Sequence, residues 1–204
     1  DVKIYENFYI EQKLTNGSTV RFFKNRKDVD KVCLMKGRMP EKSGEIAVDR
    51  MYAENNSLEI GDRVKSGKKA FRITGLVALS DYSALFQNNN DTMFDSVKFG
   101  VAIVTDKDFE ALNQVKLQYN YAWVYDKKPE TEKKEKKMAE DLMEDMTGVV
   151  TLESFVPQFQ NQSICFTGDD MGSDRAMIVM LLYIVMAILA FVFGITISNT
   201  IRKE

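Results

Sequence analysis

The order of apolar and polar positions predicts short strands interleaved with helices. Thr19–Lys24 follows an Asn16-Gly17 turn as a strand with Val20 and Phe22 on one face. Val32–Met35 is a second apolar run, closed by Gly37 and Pro40. Glu45–Val48 reads as a strand, after which Asp49 caps a helix to about Asn55. A strand near Arg63–Lys65 turns through Ser66-Gly67-Lys68 into Phe71–Leu79. Asp81–Asp95 contains the run Gln87-Asn88-Asn89-Asn90-Asp91, which predicts an exposed polar loop. Lys98–Thr105 alternates Phe99, Val101 and Ile103, and a helix follows from Asp106 or Asp108 to Leu112. Tyr119–Tyr125 and Val149–Leu152 read as further strands. Between them Pro129 opens a helix to about Met146 that buries Met138, Leu142 and Met146, with Ala139 and Met143 beside them. Its other face carries the pairs Glu130–Lys134, Glu132–Lys136 and Lys137–Asp141, a solvated surface of mixed charge. The interspersed elements and hairpins predict an α+β domain over residues 1–175.

Ala176–Ile201 departs from this pattern, because it carries no charged residue. As a helix it extends about 39 Å, against a hydrocarbon core of about 30 Å. The prediction is a single transmembrane α-helix over 176–201, with 202–204 starting a cytoplasmic segment. Its C-terminal position excludes a signal peptide. Arg202 and Lys203 follow the span, while Asp169, Asp170 and Asp174 precede it, so residues 1–175 are expected outside the cell. The first residue is Asp rather than Met, which predicts a fragment or a processed product.

Composition narrows the chemistry. The 204 residues contain no His, which removes Ser-His-Asp and Cys-His catalysis, HExxH zinc sites and His-based pH sensing. A net charge of -2 argues against a general nucleic-acid binder. No GxxxxGK(S/T) and no GxGxxG occurs, so nothing in the chain cradles nucleotide phosphates. No catalytic, cofactor-binding or metal-ligating residue is assigned. Asp169, Asp170 and Asp174 lack the oxygen-ligand spacing of a calcium loop, and capping of the span by Asp170 or Ser173 accounts for them. Cys33 and Cys165 would meet an oxidising exterior, and whether they pair stays open. The Asn-x-Ser/Thr sequons at Asn16, Asn55, Asn90 and Asn161 are chance matches in polar loops.

Three constellations remain. Gly37, Pro40 and Gly44 punctuate a turn that delivers a strand, and Gly61-Asp62 forms a second turn; Arg38 or Glu45 as ligand groups is the less economical reading. Tyr119, Tyr121, Trp123 and Tyr125 share one strand face. Buried, they are core; exposed, they form a stacking platform for a sugar, lipid or peptide, and they are the best candidates for a ligand surface. Ala190, Gly194 and Ser198, with Ala187 one turn earlier, place small residues on one stripe of the span. That suits close helix packing, although such residues are also ordinary membrane-helix composition.

The segment GRMPEKSGEIAV (37–48), followed by LEIGDRV (58–64) and closed at the membrane end by ISNTIRKE (197–204), resembles the FtsX-like/MacB-type ABC transporter permeases. The resemblance implies an extracytoplasmic domain lying between the first and second membrane helices of a multi-pass permease in a bacterial cytoplasmic membrane. It implies a separate cytoplasmic ABC ATPase as partner, other transmembrane helices of the same permease or of a second copy as neighbours, and no enzymatic activity of its own. Two rivals share the sequence features: a single-pass receptor or adhesion ectodomain without an ATPase, and a tail-anchored cytosolic protein.

Overall fold

The computed structural model describes residues 2–201, with side chains other than those of 132, 167–176 and 198–201. The chain forms two compact units, Asp1–Cys165 and Phe166–Glu204. The first is a mixed α+β domain, and an apolar helix follows it at the C-terminal end of the chain.

The first unit is built on one large sheet. Its strands are β2 (Tyr9–Lys13), β3 (Thr19–Phe23), β4 (Val32–Gly37), β5 (Glu45–Asp49), β6 (Arg63–Ser66), β7 (Lys69–Leu79), β8 (Phe99–Val104) and β9 (Leu117–Gln118). They lie in the order β4-β7-β5-β8-β3-β2-β9, with β6 pairing the first part of β7. The β3–β8 and β5–β7 pairs are parallel and the others antiparallel. β8 is central, so all six of its residues are buried, not only the alternating set Phe99, Val101 and Ile103. Its second face packs under α1 (Arg50–Asn55), where a Cβ on Gly100 would strike the Tyr52 ring and its Cβ. Asp49 caps α1 as expected, its carboxylate accepting from Met51 and Tyr52 N–H at 2.8 and 3.1 Å. The Tyr52 hydroxyl then ties the helix to the Asn16-Gly17 turn, 2.7 Å from Ser18 Oγ.

Several sequence expectations are corrected. Two N-terminal strands, β1 (Val2–Glu6) and β2, precede the first predicted one. The helix after β8, α2 (Asp106–Glu110), is capped by Thr105, whose hydroxyl accepts from Asp108 N–H and donates to Asp108 Oδ2. α3 (Glu132–Thr147) starts after Pro129, because Thr131 supplies the cap, its hydroxyl oxygen accepting from Lys134 N–H. On α3 Ala139 is buried, Met138, Leu142 and Met146 are half-buried, and Met143 is exposed. Residues 149–152 form no strand: Val149 and Val150 close a turn onto Met146 O, which uses the N–H groups a ladder would need. The predicted strand 119–125 is interrupted. Asn120 N–H bonds back to Gln118 O, so the ordered strand is β10 (Tyr121–Tyr125), and Tyr119 lies outside it.

The last helix, α4, runs from Gln162 to Ile201. It passes through Asp170 and Ser173, so neither is a helix cap; their side chains, and those of Asp169 and Asp174, lie outside the described residues. Met177–Ile197, 21 residues, is long and apolar enough to cross a membrane, and none of it is buried. A core helix of a soluble protein would be mostly covered, and a signal sequence would lie near the N-terminus.

Candidate functional site: a clasped turn and an aromatic ribbon

The turn joining β4 to β5 is organised by Glu45. Arg38 Nη1 donates to Glu45 Oε2 at 2.8 Å and Nη2 donates to Oε1, a bidentate pair. Glu45 Oε2 also accepts the backbone N–H of Glu41 and Lys42, each at 3.0 Å. The Arg38 hydrogen bond, reinforced by these two N–H groups, holds the Glu45 carboxyl well below the usual carboxylate range. Arg38 and Glu45 thus satisfy each other. Gly37 enters the turn with φ +80°, where a Cβ would also collide with Thr74 O and Ile60 Cδ1. Gly44 leaves it, its N–H donating to Asp108 Oδ2 at 2.8 Å while Ser43 Oγ donates to Asp108 Oδ1 at 2.7 Å. The second turn is fixed from the same strand: Gly61 N–H donates to Ile73 O, Ile73 N–H to Asp62 O, and Asp62 Oδ2 accepts from Glu59 N–H. Pro40 lines an open cleft of about 330 Å³ with Met39, Glu41, Thr105, Asp106 and Lys107.

The aromatic candidates sit elsewhere. β10 pairs antiparallel with β1, Val2 opposite Tyr125, Ile4 opposite Trp123 and Glu6 opposite Tyr121. This two-stranded ribbon continues the β2–β9 ladder in the same register, bridged by Asn7 N–H to Asn120 O at 2.8 Å. Tyr121, Trp123 and Tyr125 share one face of it, and Tyr119 stands off at the interruption, 71% exposed. The core alternative does not hold, since no residue of β1 or β10 is buried. Tyr121 is half exposed, with Phe8 packed edge-on at 5.2 Å from both Tyr119 and Tyr121, and Trp123 stacks on Phe155 at 4.8 Å.

Buried charge at the root of the ribbon was not anticipated. Arg26 donates bidentately to Asp81, at 2.6 and 2.9 Å, and to Asn7 Oδ1 at 3.0 Å. Asn7 Nδ2 reaches Asp30 Oδ2 at 3.4 Å. One guanidinium thus serves two carboxylates. Burial, with Asp81 nearby, pushes the Asp30 carboxyl up to about 6. Arg21 forms a second buried post, bonded to Glu11, the Tyr82 hydroxyl and Gln87 O, and lying over the Tyr9 and Phe99 rings. A charged residue inside the apolar run TVRFF was the available signal for Arg21; Arg26, Asp30 and Asp81 lie in segments with no periodic pattern.

On the span, Ala187, Ala190 and Gly194 fall on one stripe, and a Cβ at Gly194 would meet open space. Ser198 lies outside the described side chains. Cys33 is a free, exposed thiol on β4, so it does not pair with Cys165. Among the described residues no group of His, Cys, Asp and Glu is placed to hold a metal ion.

No protein-family model matches the chain, and no curated protein does. Among solved structures it is similar to the periplasmic region of MacB from Actinobacillus actinomycetemcomitans. The identity is 11% and the TM-score 0.37, over 74% of this chain and 77% of that one.

Proposed function

We propose that the chain is the extracytoplasmic domain and following membrane helix of an FtsX-like/MacB-type ABC transporter permease, in a bacterial cytoplasmic membrane with residues 1–175 outside. The observation that carries this reading is the uncovered 21-residue apolar helix Met177–Ile197, which follows a mixed-sheet domain containing the GRMPEKSGEIAV and LEIGDRV turns. A partner ATPase in the cytoplasm would bind and hydrolyse ATP, the membrane helices would shift, and the span would carry that motion to the domain outside. The chain itself performs no chemistry in this scheme. Its span packs through Ala187, Ala190, Gly194 and Ser198 against other helices of the permease or of a second copy.

The half-exposed aromatic ribbon favours a second reading, a membrane-anchored receptor or adhesion module that binds a ligand outside the cell without an ATPase. Affinity purification of the native protein in mild detergent separates the two. Stoichiometric recovery of an ABC-type ATPase supports the permease. Its repeated absence from folded protein removes the motor and leaves the receptor.

A further inference from the structure

Free strand edges invite pairing, and soluble sheets guard them with charge, bulges or brevity. Most edges here are guarded in one of these ways. β4 is bulged between Leu34 and Lys36, β6 carries Arg63 and Lys65, β9 has two residues, and β1 carries Lys3 and Glu6. β10 differs. Tyr-Ala-Trp-Val-Tyr contains no charge and no proline, its register with β1 has no bulge, and among the described residues only β1 pairs with it.

The Asn7 N–H to Asn120 O bond sets the phase of the ladder. Antiparallel pairs alternate between hydrogen-bonded and non-hydrogen-bonded, so Ala122 and Val124 bond to β1. The N–H and C=O groups of Tyr121, Trp123 and Tyr125 therefore turn outward.

We propose that β10 pairs antiparallel with β10 of a second copy of this chain, about a two-fold axis at Trp123. The strand reads aromatic, apolar, aromatic, apolar, aromatic in both directions. The axis sets Tyr121 opposite the partner's Tyr125, Ala122 opposite the partner's Val124, and Trp123 opposite its own copy. Every outward N–H and C=O of β10 then finds a partner. Just beyond the strand, Asp126 meets Asn120 and Lys127 meets Tyr119, so no like charges face each other. The resulting sheet, β1-β10-β10-β1, ends on the charged β1 strands, and the symmetry closes at two copies. An unrelated extended peptide would leave its own outer edge open; a second copy does not.

Sedimentation velocity of the full chain in detergent micelles tests this. The expected protein mass is twice 23.4 kDa. Tyr121→Pro removes an outward N–H at the first position of the strand, where the β1 ladder does not need it, and is expected to weaken association by about tenfold or more. In a Cys33→Ser/Cys165→Ser background, Val124→Cys should be cross-linked to dimers by a short bis-maleimide, whereas Lys3→Cys, on the outer strand, should not. A wild-type chain that is monomeric at all concentrations overturns the proposal, as does cross-linking at Lys3→Cys equal to that at Val124→Cys. Should Tyr121→Pro fail to fold, the cross-linking pair decides alone. A folded Tyr121→Pro that stays dimeric assigns the contact to the membrane helix instead and equally overturns it.

Discussion

Arg38 and Glu45 close the β4–β5 turn as a bidentate ion pair, with Glu45 also gathering the N–H groups of Glu41 and Lys42. The carboxylate is the hub of the turn, and its depressed pKa gives the pH sign. Stability from Glu45 is present above its ordinary value of 4.5 and is lost as pH falls below it. Glu45→Gln sets an amide against the guanidinium and removes the charge. Thermal unfolding followed by circular dichroism should show a lower midpoint for Glu45→Gln at pH 7, and the gap from wild type should narrow near pH 3.

Gly100 answers to a different constraint, close approach and not backbone conformation. It lies under Tyr52, and an added Cβ would overlap the ring and the Tyr52 Cβ. Tyr52 is fully buried in the core, so it does not yield easily. Gly100→Ala should cost about 1–3 kcal/mol in denaturant unfolding, with the slope unchanged. Gly17→Ala, with open space around it but φ +88°, should cost about 1 kcal/mol through backbone strain alone.

Much of the first unit was legible in the sequence because local signals and tertiary context agreed. Asp49 before an apolar run capped a helix, and Ser66-Gly67-Lys68 made a hairpin between β-formers. The turn residues Gly37, Gly44 and Gly61 all take positive φ. What was not legible depended on partners distant in sequence. The two-sided burial of β8 comes from α1 above and the core below, and Gly100 is an unremarkable letter until Tyr52 is placed. β1 has a charged residue at Lys3 and another at Glu6, so it shows no strand signature; it forms because β10 supplies a partner in register. The aromatic run 119–125 showed alternation, yet nothing local marks the break that Asn120 makes toward Gln118 O. The Arg26 cluster joins Asn7, Asp30 and Asp81, which no periodicity connects.

That cluster carries its own pH signature. Asp30 has a folded-state pKa raised to about 6 from 3.8 by burial, with Asp81 adding to it. A raised carboxyl contributes stability that is fully present below 3.8 and is lost as pH rises through about 6. Its ionised form at pH 7 is therefore a burden, which Asp30→Asn should lift. The variant keeps an acceptor for Asn7 Nδ2, and Asn tolerates φ +47° well. The gain at pH 7 should be on the order of 1 kcal/mol, less than the full shift because water screens a side chain that is 23% exposed. Asp49 shifts the same way through burial, so the variant should retain part of the slope between pH 4 and 6. Urea unfolding at pH 7 and pH 5 measures both the gain and the flattened dependence.

The side of the membrane on which the first unit lies is open to a direct chemical reading. Cys33 is exposed on β4, and the only other thiol in the chain is Cys165. In a Cys165→Ser background, a membrane-impermeant maleimide reports on Cys33 alone. With residues 1–175 outside, intact cells, their outer envelope permeabilised where one is present, should label as completely as lysed membranes. A tail-anchored cytosolic protein would label only after lysis. The flanks give the reason to expect the first outcome, because Arg202 and Lys203 follow the span while acidic residues precede it, and short cationic flanks stay in the cytoplasm. Replacing both cations with Glu should weaken that preference and release a fraction of the chains into the opposite orientation, read as labelling that appears only on lysis.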